Sequence, residues 1–403
     1  MITNDQYIAY NKLNSWYEKY NHQIIELSGT IDTGVEEVVR EFIKFQEFKP
    51  YEVLYLSKNQ RQVVDIASQG NHCYFFDGFV YKYERIVDLD TMPVYSPKYK
   101  KVNYVYRKKI KKHSDIQYKL IVVYDSSLLT NEDINCLSIY EIPVILIKDP
   151  YLIPIQNSYI YNHIPNIELH DSVDKLLQNP IIYFINRILD DKKLIIGNYS
   201  QLSITNKKNM NIYNLKSSNM ILTLSTQLRS LINTVYREKI LKQSTSKNII
   251  GEKLILTNSL YNEKLSNNNE KRIKIYLHKG LVGNISRCYN HGVNTKYLNI
   301  DFKPDFYHES FEDIYIDRYL LNNINSVVSR QEIPDYVLNV EYAYALTPTL
   351  ARLSYWDNVT LICDDIVDYT FRKILLYTSM TRCKKMLNII VWFIYLMIST
   401  SLF

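Results

Sequence analysis

A chain of 403 residues with 46% hydrophobic and 22% charged residues holds enough apolar material for two to four buried cores, which excludes a disordered or fibrous protein. Its formal net charge of +6 favours an acidic partner such as nucleic acid without demanding one. The five cysteines (Cys73, Cys136, Cys288, Cys363 and Cys383) form no C-x-x-C pair, so no metal site of the usual spacing is expected and a reducing, intracellular compartment fits.

Residues 3 to 20 carry Tyr7, Tyr10, Leu13, Trp16 and Tyr17 at helical spacing and predict an amphipathic helix. Ile24 to Leu27 is an apolar strand that runs into Gly29, a short polar loop, Gly34 and a helical pattern from Glu36 to Phe45. That is the strand–loop–helix frame of a phosphate-binding loop, G-x-x-x-x-G-K-[ST]. Gly29, Thr33 and Gly34 stand in frame, but Val35 replaces the lysine that would neutralise phosphate and Glu36 replaces the Mg²⁺-binding hydroxyl. A carboxylate at that point repels a triphosphate.

A strand over 51–56 and a helix over 60–68 follow, and strands alternating with helices predict a parallel sheet. The segment 98–112 gathers Lys98, Lys100, Lys101, Arg107, Lys108 and Lys109 around Tyr104 and Tyr106. Basic side chains interleaved with aromatics suit a nucleic-acid backbone with stacked bases, although a solvated hairpin has the same composition. Lys119 to Tyr124 predicts a strand ending in Asp125, and 142–147 another ending in Lys148 and Asp149. Carboxylates at the carboxyl ends of parallel strands lie where α/β sheets bind ligands, or they cap helices.

Residues 190–219 are polar and Asn-rich and predict a linker with surface structure. Strand–helix alternation resumes at Met220–Leu224 and again at 360–363, around a stretch of short strands at 251–335 with Gly280, Gly283 and Gly292 at turns. The predicted units are a first α/β domain over 1–190 with a basic insertion near 95–115, a second over 191–260 and 336–403, and a small β-rich insertion over 261–335. Leu387 to Phe403 is uncharged and mostly apolar. A final buried strand with a packed hydrophobic tail is preferred to a membrane anchor.

Further segments stand in fixed order: Thr3-Asn4-Asp5-Gln6; Gly70 with Phe75 to Tyr81, where Asp77 replaces a histidine; Val123 to Leu128; Lys148 to Pro154; Leu169 to Lys175; Thr223 to Arg237, with Arg229, Asn233 and Arg237; Lys279 to Gly283; Glu341 to Thr347; and Tyr377 to Lys384. In this order, over nearly the whole length, the chain resembles superfamily 1 DNA helicases of the RecD/Dda type, found in bacteria and phages. The resemblance implies two RecA-like P-loop NTPase domains with a small β-barrel inserted in the second. It also implies that Gln6 is the adenine-reading glutamine, Asp149 belongs to the γ-phosphate-sensing segment, and Arg382 is the arginine finger.

The positions that depart from the family are the ones that carry chemistry. Tyr124 replaces the Mg²⁺ aspartate, Asp125 shortens the catalytic glutamate, and Leu152 replaces the sensing glutamine. Asp174 stands at an arginine position, and the segment after Thr347, through Arg352, has lost the family pattern. Positions that serve packing agree. No catalytic residue, metal or cofactor is therefore expected, and Gln6, Gly29, Thr33, Gly34, Asp149 and Arg382 are vestiges of nucleotide binding. The expected protein is an intracellular, soluble pseudo-helicase of viral or phage kind. It binds single-stranded DNA, or scaffolds replication or recombination proteins, without a membrane. The alternatives are an active ATP- and Mg²⁺-dependent 5′-to-3′ helicase, with Lys58 or Lys148 in the lost lysine's place, and a purely protein-binding relic.

Overall fold

The computed structural model describes residues 3–19, 23–87, 104–110, 117–153, 164–173, 179–209, 212–242, 249–265, 271–289, 296–305, 307–308, 310–318, 321, 337–352, 354–364 and 368–391. The chain begins with α1 (Asn4–Lys19), β1 (Ile24–Gly29) and α2 (Val35–Phe45). It continues through β2 (Val53–Ser57), α3 (Gln60–Ser68), β3 (His72–Phe75), α4 (Phe76–Val80), β4 (Tyr81–Val87) and β5 (Tyr104–Ile110). Next come β6 (Leu120–Tyr124), α5 (Asn131–Ser138), β7 (Val144–Lys148), β8 (Asn166–Leu169) and α6 (Pro180–Leu189).

Six of these strands form one sheet in the order β3-β2-β6-β7-β1-β8, with β2, β6, β7, β1 and β8 paired in parallel. Leu120 to Val123 and Val144 to Leu146 are fully buried. Unbroken apolar runs of this kind are what a parallel sheet covered on both faces requires. On α1 the buried face is Gln6, Ala9, Leu13 and Trp16. Tyr7 is exposed, contrary to the helical reading of the sequence, because Ala9 rather than a tyrosine fills that turn against the sheet.

The second half contributes β9 (Gly197–Tyr199), β10 (Leu202–Asn206), β11 (Met220–Thr223) and α7 (Thr226–Val235), then β12 (Lys253–Leu256), β13 (Leu260–Leu265), β14 (Lys271–Leu277) and β15 (Val282–Cys288). These are followed by β16 (Tyr297–Pro304), β17 (Phe311–Asp317), β18 (Val337–Leu338), β19 (Val340–Tyr342), β20 (Ala345–Leu346), α8 (Pro348–Ala351), β21 (Trp356–Cys363), α9 (Tyr369–Met380) and β22 (Cys383–Val391). The second α/β sheet runs β20-β11-β21-β22-β10-β9 and is parallel except at the β9–β10 edge. The stretch expected to be a linker therefore supplies two strands. Leu202 and Ile204 are buried within its polar surroundings, a two-residue period too short to stand out among the asparagines. The apolar carboxyl-terminal strand is present as β22; residues 392–403 lie outside the described residues.

Contacts divide the chain into two compact units. One comprises Met1–Tyr74, Gln117–Thr245 and Ala343–Phe403 and holds both α/β sheets. The other comprises Phe75–Ile116 and Ser246–Tyr342. It contains a four-stranded sheet, β13-β14-β4-β5, and a six-stranded sheet, β18-β17-β16-β15-β12-β19. The two edges of the latter, β18 and β19, are consecutive pieces of one segment separated by Asn339. Gly283 is required there, because a Cβ would run into the Lys303 carbonyl of the facing strand. The strand β5 of the basic segment thus groups with the inserted strands through β4 and β14.

Candidate functional site: the recess at the carboxyl ends of the parallel strands

The loop between β1 and α2 turns into the helix at its second glycine. Gly34 caps α2 at φ 71°, and a Cβ there would strike the Gln6 side-chain amide, so glycine is needed twice over. Thr33 is buried, and its hydroxyl donates to the Thr30 carbonyl at 2.9 Å. Val35 joins Val38, Val39 and Phe42 in the core beneath the helix. Its side chain is a packing group.

Gln6 is spent inside the protein. Its Oε1 accepts from the Thr3 backbone N–H at 2.9 Å, and its Nε2 donates to the Thr33 carbonyl at 3.1 Å. With 3% exposure it braces the loop, and both ends of its amide are occupied.

A recess of about 560 Å³ opens beside this loop and is lined by residues of both α/β sheets. Three cations (Lys148, Arg382 and Lys384) face it, against five carboxylates: Glu36, Glu37, Asp65, Asp125 and Asp149. Glu36 is solvent-accessible at the rim, yet desolvation within the recess raises its pKa, helped by Glu37 and opposed by Arg40 and Lys384. Tyr124 stacks obliquely on Tyr55 with ring centroids 6.1 Å apart, and burial drives its phenol far from ionisation. Leu152 is buried and offers no polar group.

Asp125 terminates β6 in a left-handed conformation, φ 49°, uncommon for any residue but glycine, asparagine and aspartate. Its carboxylate accepts from Ser127 Oγ at 2.9 Å and from Arg352 Nη2 at 3.4 Å. Arg352 follows α8 on the second sheet, is 1% exposed, and also donates to Ser127 Oγ. Its carbonyl accepts from Asn59 Nδ2 at 3.4 Å and from Arg382 Nη1 at 3.3 Å. Among the described residues, Nε and Nη1 of Arg352 and Nε of Arg382 are buried without a hydrogen-bond partner.

Asp149 sits at the end of β7. Its Oδ2 accepts from the Tyr377 hydroxyl at 2.5 Å, and its Oδ1 accepts from the Tyr151 N–H at 3.0 Å. Burial pushes its carboxyl up to about 6, against the Tyr377 and Tyr151 hydrogen bonds and the charge of Arg382. Tyr377, on α9, in turn accepts from the Ile31 N–H at 3.2 Å, so one phenol ties the loop to the strand end. Arg382 loses basicity to burial, a loss that Asp125 and Asp149 oppose.

The cations proposed as substitutes for the lost lysine are engaged elsewhere. Lys58 pairs with Asp133 at 2.7 Å and Lys148 with Glu26 at 3.2 Å. Asn233 is a scaffold group that exchanges two hydrogen bonds with the backbone of Ala345. Of the basic segment, Lys98, Lys100 and Lys101 lie outside the described residues, whereas Tyr104, Tyr106, Arg107, Lys108 and Lys109 fall on β5. Asp174 also lies outside the described residues. Among the described residues no metal-binding cluster of His, Cys, Asp or Glu occurs, and no helix is long and apolar enough to cross a membrane. Sequence reasoning marked Arg352 as a departure from pattern and missed its partnership. Asp125 and Arg352 are too far apart in sequence for spacing to reveal it.

No protein-family model matches the chain, and no curated protein matches it. Solved structures similar to it include a Pif1 helicase from Bacteroides in complex with ADP-AlF3 and ssDNA, at 11% identity and TM-score 0.49, covering 100% of this chain and 95% of that one. A Pif1 helicase from Candida albicans is similar at 10% identity and TM-score 0.44, covering 97% and 94%. A Bacteroides Pif1 bound to ssDNA is similar at 11% identity and TM-score 0.46, covering 96% and 92%. These neighbours are Pif1 helicases, and similarity of this depth selects neither the RecD/Dda subtype nor an activity.

Proposed function

We infer that this protein is a helicase-like protein without ATPase chemistry, which binds single-stranded DNA or holds together a replication or recombination assembly. The observation that carries the inference is the engagement of Asp125 by Arg352. Asp125 is the carboxylate that stands where Walker B chemistry would be. The residues present do not fit Mg²⁺-ATP. Five carboxylates face three cations in the recess, Gln6 has no amide edge left for a base, and Val35 belongs to the core.

Phosphoryl transfer depends almost wholly on positioning and electrostatic stabilisation, and single groups contribute factors on the order of 10³–10⁵. Losing the lysine, the hydroxyl, the metal aspartate and the sensing glutamine together removes the basis for turnover, even with non-additivity. A viral or phage origin and the RecD/Dda subtype rest on the order of the sequence motifs alone.

DNA binding is supported by the basic strand Tyr104–Ile110 and by the net charge of +6. A salt series of single-stranded DNA isotherms tests it. Phosphate contacts give a steep fall of affinity with salt, whereas a purely protein-binding relic gives no isotherm at any salt concentration.

A further inference from the structure

In the α/β unit, hydrogen bonds between protein groups join the first sheet's side of the recess to the second's. Arg352, from the second sheet's side, donates to Asp125 and Ser127 of the first. Asn59 of the first donates back to the Arg352 carbonyl. Tyr377, on α9, bridges Asp149 and the Ile31 N–H, and the Ile153 N–H donates to Thr378 Oγ1 at 3.1 Å.

These contacts meet at the carboxyl ends of the first sheet's parallel strands, where an α/β sheet ordinarily binds its ligand. A guanidinium is always charged and presents several donors in a fixed fork. Placed on Asp125, it supplies the positive charge that a bound cation would bring. The pairing is almost wholly enclosed, since Arg352 is 1% exposed, so water competes with it poorly.

We propose that Arg352 is a resident latch, a built-in cation that clasps Asp125 and Ser127 and keeps the two α/β sheets closed on one another in the absence of any ligand. The latch makes the closed arrangement the resting state.

The test measures the separation of the two sheets by pulsed spin-label spectroscopy on the full chain, without nucleotide or DNA. Labels are placed at Lys44→Cys on α2 and Asn198→Cys on β9, both exposed positions, with Cys288→Ser to limit stray labelling. With Arg352 intact, the expected result is one narrow distance distribution. Arg352→Met is expected to broaden it and move it to longer distance. Asp125→Asn, which keeps the side chain's shape and suits the left-handed backbone, is expected to do the same should Arg352→Met fail to fold. Lys58→Met removes a buried ion pair confined to the first sheet's side and is expected to leave the distribution narrow, which separates latching from loss of stability.

An unchanged distribution in Arg352→Met or Asp125→Asn overturns the proposal. So does a broad one while Arg352 is intact. Adding Mg²⁺-ATP to the labelled protein separates the two inferences. A shift in distance contradicts the function inferred above, whereas the latch stands or falls on the nucleotide-free comparison.

Discussion

Arg352 and Asp125 lie 227 residues apart in the chain and meet at 3.4 Å in the recess between the two α/β sheets. A buried carboxylate left without its cation is costly, so Arg352→Met is expected to lower unfolding stability by about 3–5 kcal/mol. Arg352→Met combined with Asp125→Asn is expected to recover a large part of that loss, because no net charge is then stranded. Urea denaturation of the two single variants and the double variant measures the coupling. A strictly additive outcome would mean that the two groups are neighbours without energetic coupling.

Gln6 gives a second contrast between a nucleotide-reading role and a structural one. Gln6→Ala removes the hydrogen bonds to Thr3 and Thr33 and leaves buried backbone groups unpaired. The expected loss is about 1–3 kcal/mol of stability, visible in thermal melts. Single-stranded DNA affinity at a temperature where the variant is folded is expected to be unchanged.

Asp149 makes stability depend on pH. Its folded-state carboxyl titrates near about 6 against an unfolded value of about 3.9, so the native state holds more protons between these values. Stability is therefore gained as pH falls through about 6 towards 4, and is reduced above that window. Asp149→Asn retains an acceptor for Tyr377 and is expected to stabilise the protein by roughly 1–2 kcal/mol at pH 7.5 while flattening the profile. Denaturation series from pH 4.5 to 8 decide this, and an identical profile in the variant would assign the titration to another group.

The parallel sheets were legible because their strands are long apolar runs. The unbroken apolar character of Leu120–Val123 and Val144–Leu146 is itself the mark of burial on both faces. The glycine frame was legible too, since Gly34 takes up a left-handed backbone that favours glycine. What could not be read was partnership. Gln6 looked like a vestige of base recognition, and only the fold brings its amide to the Thr33 carbonyl. Arg352 looked like debris in a lost motif, whereas three-dimensional contact makes it the counter-ion of Asp125. The strands β9 and β10 were hidden because a short period-two pattern amid asparagines resembles a linker. The placement of the basic segment was hidden because β5 pairs with β4, and β4 with β14, across a separation in sequence that local periodicity cannot see.

The basic strand β5 carries the DNA-binding expectation. Replacing Arg107, Lys108 and Lys109 by glutamine is expected to weaken single-stranded DNA binding and to reduce the slope of log affinity against log salt by about 2, at roughly 0.7 per phosphate contact on single strands. Fluorescence anisotropy at several salt concentrations measures the slope. Equal slopes before and after substitution would place the DNA contacts elsewhere.

Restoring one lost group is not expected to restore chemistry. Val35→Lys places a charge at a core position beside a recess already short of cations, and no ATP hydrolysis above background is expected, with or without DNA. The most direct measurement is nucleotide binding itself: titration of the purified protein with a fluorescent ATP analogue and Mg²⁺, with and without single-stranded DNA. The expected result is no binding at millimolar nucleotide while DNA remains bound. Micromolar nucleotide binding that Val35→Lys barely improves would contradict the account and return the protein to the class of working motors.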